Sequence, residues 1–142
     1  MQITEDKITL VRPDDWHLHL RDEQALAYVV ADSARQVKRA IIMPNLVPPV
    51  TTTAQAQAYH QRIVTALQNT DAAKADDSLL GFEPLMTLYL TDNTSAEEII
   101  RAKESSLVYA VKLYPAGATT NSDAVLRICW QIVQPCLSKC KK

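Results

Sequence analysis

Short apolar runs alternate with longer amphipathic stretches along most of this chain. An apolar run of about four to eight residues that ends at proline or at polar residues is typical of a buried strand. Pro44 and Pro115 directly follow two of these runs and mark their ends. The runs predict extended segments at residues 8–11, 16–20, 40–43, 84–90 and 107–114.

Helices are predicted where apolar residues recur at helical spacing or where a capping sequence begins a polar stretch. The sequences TTAQ at 52–55 and TSAE at 94–97 match the capping box, in which the first and fourth side chains bond to each other's backbone. The predicted helices span residues 23–37, about 53–68 and about 95–104. Residues 69–78 are polar and predict a surface loop.

Strands that alternate with helices of this length indicate βαβ units and a parallel sheet, so the fold class is α/β. We count about four such units. A closed (β/α)8 barrel needs about 250 residues, and this chain has 142. The pattern therefore predicts half a barrel or a small open sheet, and composition alone favours the open sheet.

Composition is that of an ordinary globular protein, with 47% apolar and 22% charged residues. The net charge of −1 gives no reason to expect binding to nucleic acid or to an anionic membrane. Neither a membrane-spanning run nor a secretory signal is visible, so a cytoplasmic location is expected. Cys129, Cys136 and Cys140 lack the spacing of a zinc site and are expected to be free thiols.

The densest chemical signal is the sequence DWHLHLRD at residues 15–22. In a strand, His17, His19 and Arg21 share one face because side chains alternate. Imidazoles at that spacing lie about 6–7 Å apart at Cα and can bind one metal ion. The planar guanidinium of Arg21 suits a carboxylate. The alternative is a solvated polar face, because His-x-His is common by itself.

Two further residues follow or interrupt apolar strands. Asn45 follows the strand that ends in Met43-Pro44, and carboxyl ends of barrel strands are where active sites form. A turn-forming asparagine explains it equally well. Lys112 interrupts an apolar strand, and burial of its amine would lower the pKa and permit a carbamate that bridges two metal ions. From the strand alone, an edge lysine whose amine reaches water is favoured.

Together, the segments RPDDWHLHLRD, AIIMPNLVPPVTT, PLMTLYLTD and VKLYPAGATTNSD resemble the single-domain bacterial dihydroorotases of the amidohydrolase superfamily. The resemblance covers about residues 8–123 and is closer to this enzyme than to hydantoinases or allantoinases. It implies the N-terminal half of a (β/α)8 TIM-type barrel. It also implies the reversible cyclisation of N-carbamoyl-L-aspartate to L-dihydroorotate in pyrimidine (UMP) biosynthesis.

The resemblance implies a centre of two divalent metal ions, with zinc the expected metal. His17 and His19 correspond to ligands of the more buried ion. Lys112 corresponds to the carboxylated lysine that bridges both ions. The chemistry implied is that of two-metal hydrolysis of a cyclic amide.

Substrate contacts are implied in the same way. Arg21 and Asn45 correspond to the residues that hold the substrate carboxylate, and His19 lies in the same substrate-binding set. Thr119 and Thr120 match a mobile loop that closes over substrate. The expected partner is this small-molecule substrate, and the full-length family members are expected to be homodimers.

The chain departs from the family pattern after residue 123. The general acid/base aspartate and the two histidines of the second metal ion have no counterpart, since His60, the third histidine, lies mid-helix in a predicted solvent-facing or capping role. Residues 1–123 are predicted to form the half barrel. Residues 124–142 form an atypical tail, for which a reading-frame shift is our hypothesis.

The isolated chain is therefore expected to be inactive, and to be oligomeric or poorly soluble because of its open strand edges. A different class of function stays open, namely a non-catalytic α/β protein that binds metal or carboxylate and pairs with another chain. Another cyclic amidohydrolase is a third possibility, against which the pair of Arg21 and Asn45 argues.

Overall fold

The computed structural model describes residues 2–4 and 7–115. The strands, in chain order, are β1 (Gln2–Thr4), β2 (Lys7–Thr9), β3 (Asp14–Leu18), β4 (Arg39–Ile42), β5 (Glu83–Tyr89) and β6 (Val108–Lys112). The helices are α1 (Glu23–Gln36), α2 (Thr53–Gln68), α3 (Asp71–Ala75) and α4 (Ala96–Glu104), with a 3-10 helix at Asp77–Gly81.

Strands β3 to β6 form one parallel sheet in the order β3-β4-β5-β6. Each connection between neighbouring strands runs through at least one helix, which is the predicted βαβ arrangement. The predicted α/β fold class is thereby confirmed. Strands β1 and β2 form a separate antiparallel pair, which the sequence pattern did not indicate beyond an extended segment at residues 8–11.

Strand β5 is the most deeply buried strand of the sheet, because both of its faces are covered. Six consecutive residues from Pro84 to Tyr89 are buried, and Met86 and Leu88 are 1% and 0% exposed. A continuous apolar run is expected of a parallel strand packed on both faces. Helices α1 and α2 pack on each other and contribute to the same core.

Helix α2 begins as predicted, because Thr52 and Gln55 make both bonds of the capping box. Helix α4 begins one residue later than predicted. Its N-cap is Ser95, whose hydroxyl accepts from the backbone N–H of Glu98 at 3.2 Å. The predicted box at residues 94–97 is therefore wrong by one position, because adjacent Thr94 and Ser95 are both good caps and only the fold selects between them.

The predicted surface loop at residues 69–78 is also wrong in part, since this segment contains α3 and the start of the 3-10 helix. Thr70 caps α3 by accepting from the backbone N–H of Ala73 at 3.1 Å. Ala73 and Leu79 are 2% exposed and join the main core. The burial of Ala73, and of Leu79 directly after the segment, holds this otherwise polar stretch against the core.

A buried carboxylate connects α4 to the N-terminus of α2. Glu98 is 8% exposed, and its Oε1 accepts from the backbone N–H of Thr53 at 2.6 Å. Its Oε2 lies 2.7 Å from Nη2 of Arg101. Burial alone would raise the pKa of Glu98, but the hydrogen bonds from Thr53 and Arg101 outweigh burial and lower it. The carboxylate thus satisfies an N–H at the positive end of the α2 dipole.

We expect Glu98→Gln to lower the free energy of unfolding by about 2 kcal/mol near pH 7, because a charged hydrogen bond to a buried N–H is lost. The folded-state pKa of Glu98 is depressed, so its stabilisation is present above the unfolded pKa and is lost as pH falls through the folded one. Urea unfolding of both proteins should therefore show a difference that shrinks below about pH 4.5.

Glu97→Gln is the matched control, because Glu97 is the exposed neighbour in the same first turn of α4. It removes the same charge without touching Thr53. A loss of stability as large in Glu97→Gln as in Glu98→Gln would show that helix charge, and not the buried bond, accounts for the effect.

Candidate metal and substrate site

The chemically active side chains collect at one edge of the parallel sheet. His19 follows the last residue of β3, and Asn45 lies three residues beyond β4. Tyr89 and Lys112 are the last residues of β5 and β6. Because parallel strands place their carboxyl ends at the same edge, four separate sequence segments converge there.

The two predicted histidine ligands are close together. The Nε2 atoms of His17 and His19 are 3.2 Å apart, and the ring centroids are 5.1 Å apart. Strand β3 is irregular between Asp15 and Leu18, and the backbone N–H of His17 donates to Oδ1 of Asp15 at 2.8 Å. Trp16, which lies in this irregular stretch, is 62% exposed.

The protonation state of His19 suits metal binding. Burial, followed by the positive charges of Lys112, His17 and Arg21, lowers the pKa of His19. A neutral imidazole is the form that binds metal. Two Nε2 atoms facing each other at 3.2 Å can also share one hydrogen bond, with one ring as donor and the other as acceptor. The donor set therefore fits a metal ion that binds imidazole nitrogen.

Lys112 lies against the same group of residues. Its Nζ donates to Oδ1 of Asn45 at 2.7 Å, and it lies 5.6 Å and 5.4 Å from the ring centroids of Tyr89 and Tyr114. Burial lowers the pKa of Lys112, whereas the faces of two aromatic rings favour its cation. Asn45, which is 7% exposed, also donates from Nδ2 to the hydroxyl of Tyr89 at 3.4 Å.

Arg21 lies at a cavity of about 650 Å³. His19, Arg21 and Asn45 all line that cavity. An apolar wall is formed by consecutive residues of the loop after β4, namely Leu46, Val47, Pro48, Pro49 and Val50. A cavity with an apolar wall and a few convergent polar groups is the usual form of a small-molecule site.

The structure brings His17 against His19 and Lys112 against Asn45, and places His19, Arg21 and Asn45 on one cavity. His60 lies on α2 and is half-buried, so it is less exposed than the predicted solvent-facing role implies. Burial lowers the pKa of His60, and His60 is not among the residues that line the cavity.

Some predicted features fall beyond the part of the chain that the structure describes. They are the loop residues Thr119 and Thr120, the boundary at residue 123, and the three cysteines.

Sequence reasoning did not select Tyr89 or Tyr114, whose rings flank Lys112. The position of Tyr89 at the end of an apolar strand was the available signal. Nor did it select Asp22 and Arg62, which also line the cavity. The predicted helix start at residue 23 was the available signal for Asp22, which is the N-cap of α1.

Within residues 2–4 and 7–115, no three His, Cys, Asp or Glu side chains form a group that could hold a metal ion. Lysine, which binds metal only after modification, does not belong to that set of ligand types. None of the helices in the same part of the chain is long and apolar enough to cross a membrane.

Curated relatives are similar to this chain over most of its length. It is 68% identical over 118 residues to a dihydroorotase of Cupriavidus necator, which covers 83% of this chain and 32% of that protein. It is 66% identical over 117 residues to a dihydroorotase of Methylobacillus flagellatus, covering 82% and 31%. The chain thus spans about a third of the length of the curated relatives it matches.

Solved structures agree with these relatives. A dihydroorotase from Campylobacter jejuni superposes with a TM-score of 0.75 at 36% identity, over 90% of this chain and 34% of that one. A dihydroorotase from Saccharomyces cerevisiae, in complex with 5-fluoroorotic acid, superposes with a TM-score of 0.64 at 31% identity, over 80% and 28%. The predicted resemblance to dihydroorotases is confirmed by both comparisons.

Residues 9–135 of this chain match the family model described as "Amidohydrolase family". That range includes both histidines, the arginine, the asparagine and the lysine of the site. The chain therefore belongs to the amidohydrolase family of hydrolytic enzymes, and within it is similar to dihydroorotases.

Proposed function

We propose that this chain supplies metal ligands and the substrate carboxylate site of a dihydroorotase. The reaction is the reversible cyclisation of N-carbamoyl-L-aspartate to L-dihydroorotate in pyrimidine biosynthesis. One observation carries the proposal: His19, whose Nε2 lies 3.2 Å from that of His17, lines one cavity with Asn45, which accepts from Lys112, at the carboxyl edge of a parallel sheet. The high identity to dihydroorotases supports the choice of reaction.

In the proposed site, His17 and His19 hold one zinc ion through Nε2. Lys112 is proposed to react as the neutral amine with carbon dioxide, releasing a proton and leaving a carbamate, an anionic group that would supply oxygen ligands to the metal centre. Burial of Lys112, which lowers the pKa of its amine, supports this step. Bound divalent ions would polarise the amide carbonyl of the substrate.

Arg21 and Asn45 are proposed to bind the substrate carboxylate. Both line the cavity next to His19, and a guanidinium binds a carboxylate through two parallel hydrogen bonds. The structurally similar yeast dihydroorotase was solved with 5-fluoroorotic acid, by its name a carboxylic acid. Fixing the carboxylate orients the rest of the substrate relative to the histidine pair, which raises the rate by proximity.

A second candidate function is a metal-binding or carboxylate-binding protein without catalysis that pairs with another chain. The observation that favours it is the number of protein ligands, since the described residues bring only His17 and His19 together as imidazole ligands. The two candidates share the binding site and differ in turnover.

We expect His17→Ala and His19→Ala each to weaken zinc binding by at least about tenfold, because one of two imidazole ligands is lost. Calorimetric titration of zinc into the apoprotein measures this. His60→Ala is the matched control, since it removes a histidine from the same chain outside the site. Equal weakening in all three variants would contradict the assignment of His17 and His19.

We expect the zinc-loaded chain to bind N-carbamoyl-L-aspartate and L-dihydroorotate in preference to hydantoin. Arg21→Ala should weaken this binding by about 10- to 100-fold, which corresponds to a charged hydrogen bond of about 1.5–3 kcal/mol. Arg35→Ala, at an exposed arginine of α1, is the control. Stronger binding of hydantoin would favour a different cyclic amidohydrolase.

The 142-residue polypeptide is expected to bind these ligands without turning them over. It contains three histidines in total, and two of them form the site. The measurement is a dihydroorotase assay of the purified polypeptide with zinc and bicarbonate. Turnover at the rate of a complete dihydroorotase would show that the residues present are sufficient for catalysis.

A further inference from the structure

Arg21 lies in a short segment that joins the end of β3 to the start of α1. The helix α2 reaches this segment through Tyr59, whose ring is 0% exposed. The Tyr59 hydroxyl is 3.1 Å from the backbone carbonyl oxygens of both Leu20 and Arg21, to which it donates. Burial raises the pKa of Tyr59, so the hydroxyl keeps its proton and remains a donor.

A second residue of α2 holds the next position of the same segment. Arg62 donates from Nε to Oδ1 of Asp22 at 2.8 Å and from Nη2 to Oδ2 at 2.7 Å. Its guanidinium also lies over the Tyr59 ring, 5.3 Å from the centroid. Asp22 in turn accepts from the backbone N–H of Glu23 at 2.9 Å and caps α1. Tyr59 and Arg62 therefore act on three consecutive residues.

The segment has a conformation that local preferences do not supply. Glu23 has φ of 52°, in the left-handed region that residues with a Cβ disfavour. Such a conformation persists where the surrounding structure fixes it. The bonds from Tyr59 and Arg62 are long-range contacts of this segment, since they connect positions 38 to 40 residues apart.

We propose that Tyr59 and Arg62 are positioning residues for Arg21, which fix the backbone of Leu20 to Asp22 so that the guanidinium of Arg21 stays at the cavity. This inference rests on the proposed function, in which Arg21 binds the substrate carboxylate. The Arg21 side chain is exposed and has many rotamers, so the backbone is the part that the fold can fix in advance. Preorganisation of this kind improves binding without adding a contact to the ligand.

The test uses Tyr59→Phe, which removes the hydroxyl and keeps the buried ring, and Arg62→Met, which removes the guanidinium from an exposed position. Backbone 15N order parameters of Arg21 and Asp22 report the mobility of the segment. We expect them to fall from about 0.85 towards about 0.6 in either variant. We also expect the Kd for N-carbamoyl-L-aspartate to rise about tenfold while the Kd for zinc stays within about twofold.

Two controls separate positioning from a general loss of stability. Ile63→Val shortens a fully buried side chain of α2 next to Arg62 and leaves both hydrogen-bonding groups in place. Tyr28→Phe makes the same chemical change at a tyrosine that is 82% exposed. Both controls should keep the order parameters and the ligand affinity of the unmodified chain.

Unchanged order parameters in Tyr59→Phe and Arg62→Met, or an equal fall in Ile63→Val, would overturn the positioning role. If Tyr59→Phe does not fold, Arg62→Met decides by the same criteria. If the unmodified zinc-loaded chain fails to bind N-carbamoyl-L-aspartate, the proposed function is wrong, and the order parameters still decide whether Tyr59 and Arg62 hold the segment.

Discussion

Parallel pairing of β3, β4, β5 and β6 is the constraint on which the site depends. It brings the carboxyl ends of four strands to one edge, although the residues there are separated by up to 95 positions, from His17 to Lys112. The contact between Lys112 and Asn45 alone spans 67 positions. No local preference could bring these groups together, so the burial of β5 between its neighbours supports the chemistry indirectly.

Helix α2 transmits this order from the sheet to the segment before α1. Its N-terminal N–H is satisfied by Glu98 of α4, and Ile63 and Leu67 fix one face of the helix in the core. The positions between these anchors carry Tyr59 and Arg62, which reach the backbone beside Arg21. A helix that is fixed at its N-terminus and along its buried face can position a loop backbone more precisely than the loop's own local contacts can.

The sequence was sufficient for features that depend on local chemistry, and insufficient where tertiary contacts decide. The capping box at Thr52 and the buried run of β5 were predictable because the residues themselves encode them. Segment 69–78 was not, because its helices depend on the burial of Ala73 and Leu79. The closeness of His17 and His19 was predictable from their spacing. The hydrogen bonds from Tyr59 to the backbone beside Arg21 were not, because every residue has a carbonyl acceptor and a sequence pattern does not show which one is used.

The charges around the histidine pair set a condition on the proposed metal centre. Lys112 as an ammonium adds to the cationic surroundings that lower the pKa of His19, and a cation at that point also repels a divalent ion. Deprotonation of the ammonium and conversion of the resulting amine to a carbamate change the charge of this side chain from +1 to −1 and replace repulsion by attraction. It also leaves Nζ, which donates to Asn45 at 2.7 Å, with one N–H in place of the three of an ammonium. In the proposed site, modification of Lys112 and metal binding therefore favour each other.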